Sequence, residues 1–295
     1  FFDDTEVEVQ GHKFEGARIN YEGNRALSWQ TLWFGPWMLD GILDSATDVS
    51  EHLGVLLDEH QHRWQGRPNY FYADSGSSAG KFLNRIERAD FSRWSVSYNK
   101  WTGKLDRLAA ELPENQWSAL PPGDQPQEQY TWVKHQPGEC AQVEKFAAVR
   151  WKNEGDLMWR YAYTACKPGE QDSPQSVFKR HHLKGAKEQG FSDVHHPPCQ
   201  NLIANQAFYA LGMLAHNLLV SLRVLDLPDD QQSWRLTSII RHLLTVPVTV
   251  STHARYTVAH ICVPTGWMRW WRLFLDQWLP KRKAGRPVME VVDSA

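Results

Sequence analysis

The sequence predicts a mixed α/β fold with an all-β insertion and a helical carboxyl-terminal part, on three observations from its 295 residues. Strand-like and helix-like spacings of apolar residues alternate through the first third. Three strand-like runs then follow one another with no helical spacing between them, and helical spacing dominates afterwards. At 42% hydrophobic and 22% charged, the composition excludes disorder and fibrous repeats and leaves material for one large domain or two modest ones. A net charge of −2 excludes a uniformly basic nucleic-acid coat. Basic residues are nevertheless concentrated at Lys179-Arg180-His181-His182-Leu183-Lys184 with Lys187, and at Lys281-Arg282-Lys283 with Arg286. The four cysteines, Cys140, Cys166, Cys199 and Cys262, form no C-x-x-C pair, so a reducing cytoplasm is expected rather than a disulfide framework. The opening Phe1-Phe2-Asp3-Asp4 has no leader character, so secretion is not expected and the chain reads as beginning mid-protein.

Each element has its own signal. Thr5, Val7 and Val9 alternate with Asp4, Glu6 and Glu8, predicting a strand over 2–10. Leu27, Trp29, Thr31 and Trp33 repeat the pattern within 26–39, with a turn at Gly35-Pro36. From Ser50, a cap followed by Glu51 in the first turn, Leu53, Leu56, Leu57 and His60 fall at helical intervals. A short aromatic strand, 70–73, runs into Asp74-Ser75-Gly76-Ser77-Ser78 and then a helix through Phe82, Leu83 and Ile86. Residues 92–98 predict a strand, and Leu105, Leu108 and Leu112 a helix. The Pro-, Gln- and Gly-rich stretch 113–129 reads as a boundary, and 130–133, 143–151 and 157–165 as the strands of the insertion. Helical spacing returns near Ser176 and dominates 201–242. Within it, Leu202 to Leu225 is interrupted by Asn205, Gln206, His216 and Asn217 and reads as a buried helix rather than a membrane span. Residues 246–263 alternate like a hairpin and 267–279 form a last amphipathic helix, with Trp267-Met268-Arg269-Trp270-Trp271-Arg272 as a Trp-rich core rimmed by arginine. The expected divisions are 1–112, 113–173, 174–245 and 246–295.

Three carboxylates stand out by context: Asp3 on the first strand, Asp74 at the carboxyl end of a later strand, and Glu188 on a basic helix. Singly, each has an ordinary use: Asp74 as a helix cap, Asp3 as a solvated strand residue, Glu188 as an exposed helical glutamate. Converging carboxylates repel unless a cation neutralises them, and all-oxygen ligation selects hard ions such as Mg²⁺ or Mn²⁺. A pair of such ions suits phosphodiester displacement. His181, Lys184 and Glu188 fall at i, i+3 and i+7, one helical face with two groups that can meet phosphate beside a carboxylate. A zinc hydrolase built on His181-His182, His195-His196 and Cys199 is disfavoured, because adjacent histidines diverge and no H-E-x-x-H is present.

The ordered set Asp3-Asp4-Thr5, Tyr72-Ala73-Asp74-Ser75, a β insertion and Lys184-Gly185-Ala186-Lys187-Glu188-Gln189 resembles the DDE transposases of bacterial insertion sequences. His195-His196-Pro197-Pro198-Cys199, Asn205-Gln206-Ala207-Phe208-Tyr209-Ala210-Leu211 and His253-Ala254-Arg255-Tyr256 extend the likeness. The resemblance implies an RNase H-like mixed sheet flanked by helices, interrupted by the β insertion before the last acidic residue. It implies Asp3, Asp74 and Glu188 as catalytic metal ligands for two Mg²⁺ or Mn²⁺ ions, with Asp4 the alternative first ligand one residue of register away. It implies DNA nicking and strand transfer, double-stranded DNA as element end and target, and a homodimer in a synaptic complex. It implies no membrane partner and a location in the bacterial cytoplasm at the nucleoid. The family signature Tyr-x2-Arg-x3-Glu-x6-Lys falls on His181, Lys184, Glu188 and His195, so only the glutamate is unchanged. Those positions are expected at DNA, with the histidine contacts dependent on protonation. A tryptophan of the insertion, Trp132, Trp151 or Trp159, is expected to stack on an extruded base. The alternative is a catalytically decayed or domesticated relative that acts as a DNA-binding protein.

Overall fold

The computed structural model of the chain describes residues 1–20, 22–45, 49–99, 102–119, 127–153, 155–182, 197–227, 229–253, 256–278 and 288–293. They form the mixed α/β architecture that the sequence predicts, in two units, Phe1–Met213 and Leu214–Ala295.

The first unit opens on a small antiparallel sheet of β1 (Phe2–Glu8), β2 (Arg18–Ile19), β3 (Arg25–Phe34) and β4 (Trp37–Ser45), in which β3 pairs with all three others. β1 is two residues shorter than its alternation predicts at the carboxyl end. The β1–β3 register sets Asp3 opposite Thr31, Thr5 opposite Trp29 and Val7 opposite Leu27. Because strand side chains alternate between faces, β1 divides cleanly. Phe1, Val7 and Val9 pack with Leu27, Trp29, Trp33 and Tyr209, whereas Phe2 packs with Leu32, Leu53, Leu56 and Leu57 on the other side. The three leucines belong to α1 (Val49–His60), whose helical spacing therefore serves to cover one face of the sheet.

A second sheet has the order β5 (Tyr70–Ala73), β6 (Arg93–Tyr98), β9 (Arg160–Lys167), β8 (Glu144–Lys152) and β7 (Gln127–His135). β5 and β6 are parallel and are linked through α2 (Gly80–Arg88); every other neighbouring pair is antiparallel. The strands predicted as an insertion thus continue the sheet begun by β5 and β6, with β9 paired directly to β6. β5 lies beside β1. Among the described residues no ladder joins the two sheets, but their faces match. Phe71 and Ala73 join the cluster of Phe2, and Tyr72 packs on the cluster of Phe1 and Trp29. Two further helices cover this layer: α3 (Gly103–Ala110) contributes Leu105 and Ala109 to the Phe2 side, and α4 (Pro174–His182) lies across β6, β7, β8 and β9.

The helix α5 (Leu202–Leu225) starts on the first sheet, where the Tyr209 ring meets Trp29 edge-on at 4.9 Å and Gln206 Nε2 donates to the Leu43 carbonyl at 2.9 Å. It is not buried all round, as its sequence led us to expect. Asn205, Tyr209, His216 and Val220 are buried, but Leu211, Leu214, Leu218 and Leu225 are more than half exposed. By length and composition it is apolar enough to cross a membrane, since the polar interruptions do not pull its mean hydropathy below that of spanning helices.

The second unit contains α6 (Leu236–Ile239), continued by a wider turn over Ile240–Leu244, then β10 (Val248–His253), β11 (Tyr256–Val263), α7 (Thr265–Trp278) and β12 (Val288–Asp293). β10 and β11 form the expected hairpin, and β12 adds parallel to β11, a strand the sequence did not announce. The Trp-rich segment is core, as read: Trp270 and Trp271 are buried, and Trp267 stacks on His242 with ring centroids 4.5 Å apart.

One close approach in the first unit is open to test. The loop after β7 clamps α2, with Asn84 Nδ2 donating to the Glu139 carbonyl and Asn84 Oδ1 accepting from the Ala141 amide, both at 2.8 Å. A Cβ on Gly80 would sit 2.5 Å from the Cys140 amide nitrogen, whereas one on Gly103 would meet nothing within 4 Å. Gly80→Ala is therefore expected to lower unfolding stability by about 1–3 kcal/mol in urea titration. Gly103→Ala, in the first turn of α3, is expected to leave it unchanged or raise it by up to about 1 kcal/mol.

Candidate active site

Asp3 is buried at 8% exposure near the start of β1. Its carbonyl accepts from Thr31 Oγ1 at 3.4 Å, and that hydroxyl accepts from Trp33 Nε1 at 2.7 Å, so the backbone beside Asp3 is tied to the aromatic face of β3. Asp74 follows β5 and is exposed. Its carboxylate accepts from the Ser75 amide at 2.7 Å and caps the short 3₁₀ turn Ser75–Ser77, which is the capping role its sequence context predicts. Capping is compatible with ligation, because a carboxylate offers roughly four acceptor positions.

The two residues share a face. Asp3 follows Phe1 and precedes Thr5 and Val7 on the side of β1 that meets Trp29 and Tyr209. Tyr72 packs on that same side, and Asp74, with φ −81° and ψ 177°, is still extended, so the alternation carries from Tyr72 to Asp74. Asp4 falls on the other face. Its Oδ1 accepts a short hydrogen bond from Ser28 Oγ. Burial pushes the Asp4 carboxyl up to about 6, with the charges of Glu6 and Asp3 adding to the rise and the Ser28 bond and His52 opposing it.

His181 completes the Tyr72 side. It is 3% exposed at the end of α4, its ring 6.3 Å from that of Tyr72, and its Nδ1 and Nε2 lie 2.9 Å from Ser95 Oγ and 2.7 Å from Ser97 Oγ of β6. Both ring nitrogens are thus engaged inside the protein. Lys184, Glu188 and His195 lie outside the described residues, as do His196 and all of the basic run after His182.

The insertion tryptophans divide by face as well. Trp132 is half-buried on Ala147, Cys166 and Val177, with Lys145 Nζ 4.1 Å from its ring. Trp151, four residues along β8 from Ala147, shares that α4 face, which is also the face of Tyr72, Ser95 and Asp74. Trp159 belongs to the opposite side: the buried Arg150 guanidinium lies 4.3 Å from both the Trp159 and Trp117 rings. Arg150 also donates to Gln129 Oε1 at 3.0 and 2.7 Å and pairs with Glu114. Sequence reasoning named Trp159 but not Arg150, although the string Arg150-Trp151-Lys152 carried the signal.

Among the described residues, Asp40 of β4 with Glu59 and His60 of α1 form a group whose ligand atoms lie within 4.8 Å of one another. Sequence reasoning missed it, because Asp40 meets the Glu59-His60 pair only after folding. Arg63 Nε donates to His60 Nδ1 at 3.1 Å, so the neutral ring carries its proton on Nε2 and donates it to Asp40 Oδ2 at 2.8 Å. A cation at Nε2 would have to displace that proton, and the group as it stands links β4 to α1. Of the zinc set, the described members have partners of their own. His182 Nδ1 is 2.9 Å from the Phe178 carbonyl, and Cys199 Sγ lies 3.4 Å from Asn205 Oδ1.

A family model described as "Transposase DDE domain group 1" matches residues 40–276, well over half of the chain. The chain belongs to the DDE transposases of this group. Asp74 and the position of Glu188 lie within the match, and β1 with Asp3 precedes it. No curated protein matches the chain. Membership makes it a protein of DNA transposition, from a family of enzymes that act on DNA and generally use a divalent metal.

The engagement of His181 has a consequence that needs no DNA to observe. His181→Ala removes one hydrogen-bond partner of Ser95 Oγ, which is fully buried, and opens a void beside Tyr72. A loss of about 2–4 kcal/mol in unfolding stability is expected from urea titration of the DNA-free protein, whereas a side chain that served phosphate alone would leave it within about 0.5 kcal/mol.

Proposed function

We propose that this transposase cuts a phosphodiester at the end of an insertion sequence and transfers the liberated strand to target DNA, with Asp3, Asp74 and Glu188 as its catalytic carboxylates. The support is the shared face of Asp3 and Asp74, contributed by neighbouring strands from positions 71 residues apart in sequence (74 − 3). Their all-oxygen donor set fits Mg²⁺ or Mn²⁺, and two such ions, when bound, would supply the charge that steadies the attacking and departing oxygens. The proposed first ligand is Asp3 rather than Asp4, whose carboxyl is turned to Ser28 and raised by burial.

The protein's own groups orient the reaction. Burial of the β1 aromatics holds Asp3 in register, and the amide of Ser75 holds Asp74 at the strand end. Water attacks the scissile phosphodiester and leaves a 3′-hydroxyl; that hydroxyl attacks a target phosphodiester and displaces the target's own 3′-hydroxyl. Lys184 and His195 are proposed to contact phosphate oxygens. His181 is proposed as a positioning residue that holds α4 against β6 and Tyr72. Trp132 and Trp151, on the face of Asp74, are the proposed stacking residues for an extruded base. A homodimer in a synaptic complex, residues 113–173 as the insertion, and action in the bacterial cytoplasm at the nucleoid complete the proposal.

Nicking of a labelled end-containing duplex in Mg²⁺ or Mn²⁺ tests this. Asp74→Asn and Glu188→Gln are each expected to lower the nicking rate by at least about 100-fold. Their thermal unfolding midpoints should remain within about 3 °C of the parent. Asp4→Asn is expected to stay within about tenfold of the parent rate. Full activity in either of the first two variants would overturn the site, and parent protein that binds DNA without nicking in either metal would select the decayed alternative.

A further inference from the structure

The two units carry opposite charge. Residues 214–295 hold ten Lys and Arg against six Asp and Glu, a net charge of +4, which leaves −6 for residues 1–213 of a chain whose total is −2. Within the second unit the aromatic cluster is graded in exposure. Trp270 and Trp271 are buried, with Phe274 stacked on Trp270 at 5.5 Å, whereas Trp234, His242 and Trp267 are only partly buried. Those three meet one another. His242 lies parallel to Trp267 at 4.5 Å, with an interplanar angle of 14°, and Trp234 stands edge-on to Trp267 at 5.0 Å. They come from three places: just before α6, the wider turn that continues α6, and the first turn of α7. Arg235 and Arg241, the chain neighbours of Trp234 and His242, are both exposed.

One cation beside these rings lacks a counter-charge. Arg223 Nη1 donates to the Trp234 carbonyl at 3.1 Å, but its Nε is buried with no partner and burial disfavours its charge. Among the described residues no carboxylate pairs with it. A desolvated guanidinium without a carboxylate favours an anion nearby. Aromatic rings left partly exposed favour a planar partner. A nucleic acid meets both demands, and the family to which the chain belongs acts on DNA. A duplex conceals its base faces in the helical stack, whereas a single strand can offer them to aromatic side chains. A quaternary ammonium group, which clustered aromatic rings also accept, is opposed by the three arginines. We propose that Trp234, His242 and Trp267, with Arg223, Arg235 and Arg241, form a single-stranded DNA site of the second unit. Bases stack on the rings, phosphates meet Arg235 and Arg241, and Arg223 adds its charge beside them. The site needs no metal and is independent of the chemistry assigned to the carboxylates.

Fluorescence anisotropy of a labelled oligothymidylate of about 20 nucleotides, with the full chain in EDTA, tests it without reading cleavage. Trp267→Ala is expected to weaken single-strand binding at least about tenfold, while changing the affinity for a random duplex of equal length less than about threefold. Arg235→Gln combined with Arg241→Gln, both exposed, is expected to keep the parent's far-UV circular dichroism. It should lower the slope of log Kd against log salt by about 1.4, the equivalent of two phosphate contacts on a single strand. Arg18→Gln combined with Arg107→Gln, an equal change of charge on exposed residues of the first unit, is expected to stay within about threefold of the parent. Should Trp267→Ala fail to fold, ultraviolet cross-linking of a bromodeoxyuridine strand to the parent is expected to mark Trp234, His242 or Trp267. A parent that binds no single strand, folded variants that bind like the parent, or cross-links confined to residues 1–213 would each overturn the proposal. So would equal losses on duplex and single strand, or displacement of the strand by phosphatidylglycerol vesicles, the last in favour of a lipid surface.

Discussion

The register of β1 on β3 is the constraint on which the candidate site depends. Side chains of a strand alternate, so a slip of one residue would exchange Asp3 with Asp4 and turn Phe1, Val7 and Val9 away from their cluster. Burial of large apolar side chains prevents it. Trp29 is 1% exposed against Tyr209, and Phe1 stacks on Trp33 with ring centroids 5.2 Å apart. Each such side chain contributes roughly 1.5–3 kcal/mol through apolar burial, so several moving together outweigh any local preference of the two aspartates. Which of the two acidic residues lies on the Trp29 side of β1 is therefore chosen by hydrophobic packing.

β5 repeats the device from the neighbouring sheet. Phe71 and Ala73 look toward the leucines of α1, Tyr72 looks the other way, and the extended backbone of Asp74 continues the alternation past the last ladder residue. The helix α4 is then fastened to the Tyr72 side by a hydrogen-bonded core contact. His181, between Ser95 and Ser97, holds α4 against β6. His181, at the place of the family's tyrosine, has both ring nitrogens engaged by serines of β6.

Much of this was legible in the sequence, for identifiable reasons. The strand pattern of β1, the capping character of Asp74 and the core character of Trp270 and Trp271 are local, and local patterns survive folding. What escaped was set by distant partners. His181, read as sharing with Lys184 a helical face that meets phosphate, is buried because serines 84 and 86 residues earlier in the chain receive it. Asp40 joins Glu59 and His60 only through the packing of α1 on β4. β12 becomes a strand by pairing with β11, across a helix and a basic stretch. Hydropathy identified α5 as an apolar helix, but could not say that one side would meet the sheet and the other would not.

The central claim, that carboxylates remote in sequence hold a divalent ion on the Tyr72 face, is tested most directly by localised oxidative cleavage. Fe²⁺ is loaded in place of Mg²⁺, ascorbate and peroxide are added, and the backbone cuts are mapped by mass spectrometry. The account predicts saturable cuts beside Asp3 and Asp74, and a third near residue 188, all suppressed by excess Mn²⁺. Cuts confined to Asp40 and the Glu59-His60 pair, or cuts that do not saturate with Fe²⁺, would contradict it.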